Sequence, residues 1–176
     1  MMEALQYPIG RFEAAPFYTP AMLQEYIYDI RDLPTLVELA IQQLDEYQLQ
    51  TPYRPGGWTV AQVVHHLADS HINAITRLKL ALTEDKPVIK PYDEAAWALL
   101  EDVNNTPVNV SITLLHALHT RWANLLEKLT PEQWERVFIH PEHGTHFNLK
   151  TQTATYSWHG KHHLAHIQGL KERMNW

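Results

Sequence analysis

The sequence predicts an all-α fold: an antiparallel four-helix bundle with a short β-hairpin before its last helix. Three observations point to it. Four long stretches repeat apolar residues at helical spacing. The chain has 176 residues, enough for one core and short for two. Long amphipathic helices in one small domain bury their stripes best against one another. Residues 1–176 are therefore read as one domain. Residues 1–19 form an extended N-terminal arm, because "YPIGRF" and "APFYTP" break regular structure.

After the arm, "TPAMLQEYIYDIRDLPTLVELAIQQLDEY" reads as helix. Asp32 is expected to cap a second segment with Pro34 in its first turn, a favoured place for proline. Leu33, Leu36, Leu39, Ala40 and Leu44 supply that segment's apolar stripe. "RPGGWTVAQVVHHLADSHINAITRLKLALTED" is the second long helix. Thr59 and Gln62 have the spacing of a capping box, and Val60, Val63, Val64, Leu67, Ile75, Leu78 and Leu82 form the buried face. "KPVIKPYDEAAWALLED" is a proline-punctuated connection with a short helix at 93–101. "VSITLLHALHTRWANLLEKL" is the third long helix, and "TPEQW" starts a short helical turn. "RVFIHPEHGTHFNLK" reads as two short strands around "PEHG", and the last helix covers 151–173.

Composition excludes several functions. The net charge of −6, with no basic run, argues against nucleic acid as a partner. There is no cysteine, so disulfides, thiolate ligands and a cysteine nucleophile are excluded. "MMEALQYPIGRF" lacks the cationic flank and apolar core of a secretory signal. No run of about 18 apolar residues exists to span a membrane. A cytoplasmic protein is expected. The G-x-S-x-G, P-loop and G-x-G-x-x-G patterns are absent.

The chemistry lies in the histidines. "YSWHGKHHLAHI" (156–167) holds His159, His162, His163 and His166. Residues four apart share a helix face, so His159 and His163 can grip one metal ion. His166 lies near that face and His162 on its flank. A third ligand should come from another helix. His66 in "HHLADSH" lies beside the core stripe, in a row with Thr59, Gln62, Ser70, Asn73 and Arg77, whereas His65 is turned away. Three neutral imidazoles leave a position for water or substrate, the pattern of a catalytic zinc site. The metal would lower the pKa of whatever nucleophile it holds. Asp69, His162 and His166 are candidates to orient the ligands. The bland alternative is a solvated polar face. His116 and His119, at i, i+3, could coordinate or be buried or interface residues. His140, His143 and His146 are spaced by threes in the hairpin, where geometry scatters them. They could border a pocket mouth. Trp58, Trp97, Trp122 and Trp158 could wall a pocket or fill the core.

"GGWTVAQVVHHLADSH", followed by "YSWHGKHHLAHI", resembles the DinB superfamily. With "YPIGRF", "KPYDEAAWA" and "HPEHG" in the same order, the chain is similar over nearly its whole length to the YfiT-like metal-dependent hydrolases and bacillithiol S-transferases. The resemblance implies an up-down-down-up bundle and a homodimer. It also implies one divalent metal per chain, zinc or nickel, held by one histidine of the second helix and two of the last, which fall on His66, His159 and His163. Where many relatives carry glutamine, this chain has His166, which is expected to alter the metal's surroundings or offer a fourth ligand.

Two enzymatic chemistries suit such a site. A low-molecular-weight thiol, bound as thiolate, could attack a small electrophile. Alternatively, a metal-held hydroxide could attack a carbonyl or similar centre, which usually needs a carboxylate base. None lies within a helical turn of His159 or His163, and Asp69 is the nearest on the second helix. The resemblance favours thiol transfer. The non-enzymatic alternative is a metal-binding stress-response bundle, with His166 filling the fourth position.

Overall fold

The structure, a computed structural model, describes residues 2–141 and 144–176. Four long helices dominate it: α2 (Pro20–Ile41), α4 (Val60–Thr83), α7 (Val108–Leu126) and α9 (Leu149–Met174). Short elements fill the connections: α1 (Met2–Gln6), α3 (Glu46–Leu49), α5 (Glu94–Trp97), α6 (Glu101–Asn105) and α8 (Pro131–Trp134). Strands β1 (Val137–His140) and β2 (Thr145–Asn148) pair antiparallel and lead into α9.

Contacts between the long helices establish their order and direction. Each of α2 and α4 packs on both α7 and α9. Asp29 meets Ser157, and Ala40 meets Lys171, so α2 and α9 run parallel. His65 meets Ser111 and His71 meets His119, so α4 and α7 also run parallel. Gln152 bonds to Ala74 while His159 lies against His66, so α4 and α9 are antiparallel. The result is the up-down-down-up bundle.

The capping box starts α4: the Thr59 N–H donates to Gln62 Oε1 at 2.9 Å and the Gln62 N–H donates to Thr59 Oγ1 at 3.1 Å. The first long segment corrects the sequence expectation. Asp32 caps nothing there. One helix runs from its N-cap Thr19 through Pro34 without a break. Ile27, Ile30, Leu33, Val37 and Ala40 continue one buried face across the proline, and that packing outweighs the backbone bond proline cannot make. The stripe shifts accordingly. Leu36 and Leu39, expected inside, are 44% and 52% exposed. The arm also differs, because it opens with the short helix α1 before becoming irregular. The connection after α4 forms two short helices instead of one.

Two apolar clusters fill the bundle. One gathers Leu33, Val37, Val60, Val64, Leu67, Leu115, Ile167 and neighbours. The other gathers Ile27, Ile30, Leu78, Trp122, Leu126, Phe138 and Leu149. His71, His119 and His159 lie between them in sequence on three different helices, forming a polar layer across the core.

Gly160 lets α9 approach α2. A Cβ there would come within 2.6 Å of Leu33 Cδ2, and Leu33 is buried. Gly160→Ala should gain about 1 kcal/mol of helix propensity and lose about 1–3 kcal/mol to overpacking. A net destabilisation of about 1 kcal/mol is expected in urea unfolding.

Candidate metal centre

His66 on α4 and His159 and His163 on α9 come together where the antiparallel helices cross the polar layer. One ring nitrogen from each lies within 4.8 Å of the others. His66 Nε2 and His159 Nε2 are 3.3 Å apart. Two nitrogens bound at tetrahedral angles to one zinc stand about 3.3 Å apart, so this pair already has the spacing an ion needs. Burial pushes His66 down to about 4. His159 and His163 are held well below the ordinary histidine range, first by burial and then by neighbouring histidines. Neutral rings offer the lone pairs a metal requires. His163 Nδ1 is buried without a hydrogen-bond partner. The residues present fit a divalent ion.

His162 and His166 lie beside this group, outside the three-donor set among the described residues. His162 stacks on Trp158 at 4.5 Å, and the His166 ring stacks on Tyr53 at 3.9 Å. The His166 Nε2–H donates to the Gln6 carbonyl at 3.1 Å, so the arm seals this flank. Burial lowers both rings to about 4. The Asp69 carboxyl is raised to about 6, first by burial and then by Asp102 of α6. Its charged neighbour is thus another carboxylate instead of a ligand histidine. His65 bonds to Ser111 Oγ at 2.8 Å.

The other histidines separate. His116 is half-buried and bonds to Glu38 at 2.8 Å, while His119 is fully buried. His140 lines a cavity beside His159. His146 is exposed and His143 lies outside the described residues. Trp58 packs on His66 at 4.6 Å, Trp122 is core, and Trp97 is partly exposed.

Two cavities flank the three histidines. One, of about 230 Å³, is walled by His159 with Ser70, Arg77, Glu94, His140 and Tyr156. The other, of about 310 Å³, is walled by His163 with Tyr7, Tyr53, Arg54, Trp58 and His166. Sequence reasoning missed Glu94 and His71. Glu94 sits in a connection, and its segment is carried to the cavity by backbone bonds between 87–89 and Ile139. His71 carried a signal: it falls between Leu67 and Ile75 on the buried face, where only a partnered ring would be tolerated.

The DinB superfamily profile matches residues 30–167. The chain belongs to the DinB superfamily. Among similar proteins, one of Oceanobacillus iheyensis is 52% identical over 171 residues, covering 97% of this chain and 98% of its own. One from Bacillus mycoides is 50% identical over 175 residues, covering 99% of this chain and 100% of its own. Both are provisionally named metal-dependent hydrolases. YfiT from Bacillus subtilis, described as a probable metal-dependent hydrolase with an unusual four-helix bundle topology, superposes with a TM-score of 0.96. That match has 43% identity and covers 98% of this chain and 99% of YfiT. Among the described residues no helix is long and apolar enough to cross a membrane.

Proposed function

We propose that the protein is a metal-dependent enzyme that joins a low-molecular-weight thiol, of the bacillithiol type, to a small electrophile at His66, His159 and His163. The supporting observation is the pair of cavities, one walled by His159 and the other by His163. A transfer reaction needs room for two organic reactants beside one centre, whereas hydrolysis needs room for one and a water. A bound divalent ion, zinc or alternatively nickel, would supply Lewis acidity and favour the deprotonated thiol. Around it, Trp58, Tyr7 and Tyr53 offer apolar walls, and Arg77 offers a donor for a polar substrate group. The sulfur forms a bond to the electrophilic carbon, the leaving group departs with its electron pair, and the thiol proton goes to solvent. The lack of cysteine fits a cytoplasmic enzyme whose thiol arrives as cosubstrate. Exposed Leu36 and Leu39 on α2, with Val110 and Leu114 on neighbouring α7, support a homodimer.

Hydrolysis is the second reading, favoured by Glu94, whose carboxylate shares the cavity of His159. Zinc-loaded protein should be offered an alkylating electrophile with and without a small thiol, and separately an activated ester. Thiol conjugation that disappears in His163→Ala is expected. If hydrolysis dominates instead, Glu94→Gln should lower it by about 10²-fold or more. Bound zinc with neither reaction would mark a non-enzymatic metal-binding bundle.

A further inference from the structure

The polar layer continues behind the metal ligands as a chain of rings. Proline has no backbone N–H, so the usual helical donor to the carbonyl four residues earlier is missing. Pro34 lies inside α2, and that carbonyl belongs to Ile30. It is occupied instead by His119 Nδ1. His119 Nε2 is 2.8 Å from His71 Nδ1, and His71 Nε2 is 3.1 Å from His159 Nδ1. His71 and His119 are fully buried and make edge contacts with Trp122.

This chain has one consistent direction. A carbonyl can only accept, so the proton on His119 sits on Nδ1. A neutral imidazole carries one N–H, so His119 Nε2 must accept from His71 Nδ1–H. By the same step His71 Nε2 accepts from His159 Nδ1–H. The lone pair of His159 is then on Nε2, the atom that lies 3.3 Å from His66 Nε2.

We propose that His119 and His71 are positioning residues: anchored on the Ile30 carbonyl that Pro34 leaves open, they fix His159 as the Nδ1–H tautomer and aim its Nε2 lone pair into the metal centre. Metal-binding histidines commonly donate their second ring N–H to a carboxylate or carbonyl. Here a carbonyl acts at a distance, through two rings. The inference rests on the metal reading only for its purpose, because the tautomers exist with or without an ion.

The test therefore begins with metal-free protein at neutral pH. Histidine ¹⁵N–¹H NMR distinguishes the Nδ1–H from the Nε2–H form of each ring. Nδ1–H for His159, His71 and His119 is expected, and Nε2–H for His159 would overturn the relay. Zinc affinity is then compared in two variants. His119→Leu removes the relay's origin and should weaken zinc by about 10–100-fold. His119→Gln keeps a donor for Ile30 and an acceptor for His71, and should bind zinc nearly as the parent does. A folded His119→Leu protein with unchanged zinc affinity and His159 still Nδ1–H would also overturn it. Parent protein that shows the three Nδ1–H rings yet takes up no zinc would refute the metal reading and leave the relay standing.

Discussion

Saturating zinc is expected to raise the melting temperature of the metal-free protein by about 10 °C. A ligand that binds only the folded state stabilises it by about 4 kcal/mol at a thousand times its dissociation constant. For a chain of this length each kcal/mol is worth about 2–4 °C. The increase requires all three imidazoles, because they reach the centre from two antiparallel helices and an unfolded chain cannot assemble them. In His159→Ala/His163→Ala the zinc-induced increase should vanish, together with the metal measured per chain by elemental analysis. A chelator should return the parent to its metal-free melting point. If added zinc moved parent and variant equally, the site would have to be sought elsewhere in the chain.

How much of this could be read from the residues depended on the kind of signal. The helical half of the centre was readable because His159 and His163 are four apart, and that spacing puts them on one face whatever surrounds them. The cap on α4 was equally local, since Thr59 and Gln62 make both of its bonds without help. Pro34 shows the opposite case. Its local preference favours a new helix start, but the buried row Ile30, Leu33 and Val37 passes straight through it. His119, distant in sequence, satisfies the carbonyl that proline leaves open. Tertiary packing overrode the local rule, and the misplaced Leu36 and Leu39 followed from the same cause. Glu94 was hidden because a loop's position depends on where its backbone is pinned, here on β1.

The metal-free protein should also be acid-labile, unfolding with a midpoint between about pH 5 and 6. In the unfolded chain each histidine titrates near its ordinary value of about 6.5. In the folded protein burial pushes His66 and His119 down to about 4 and holds His71, His159 and His163 well below the usual range. Below pH 6.5 the unfolded state therefore binds protons that the folded state refuses. Stability is complete above that pH and is lost as pH falls toward the folded-state values. Each buried ring contributes about 1.4 kcal/mol per pH unit to that loss. The five rings of the centre and the relay together withdraw roughly 7 kcal/mol over one unit, comparable with a whole domain's stability of about 5–15 kcal/mol. His65, His162 and His166 are lowered too and push the same way. Asp69, raised to about 6, pushes the other way, because the folded state takes its proton first. It is one group against eight. Urea unfolding at pH 7.5, 6.5 and 5.5, followed by far-ultraviolet circular dichroism, would measure the slope. A flat profile across that range would mean that the histidine layer is hydrated and titrates freely. Zinc should shift the acid midpoint downward, since protons and metal compete for His66, His159 and His163. The shift should be lost in His159→Ala/His163→Ala, tying acid lability and metal binding to the same imidazoles.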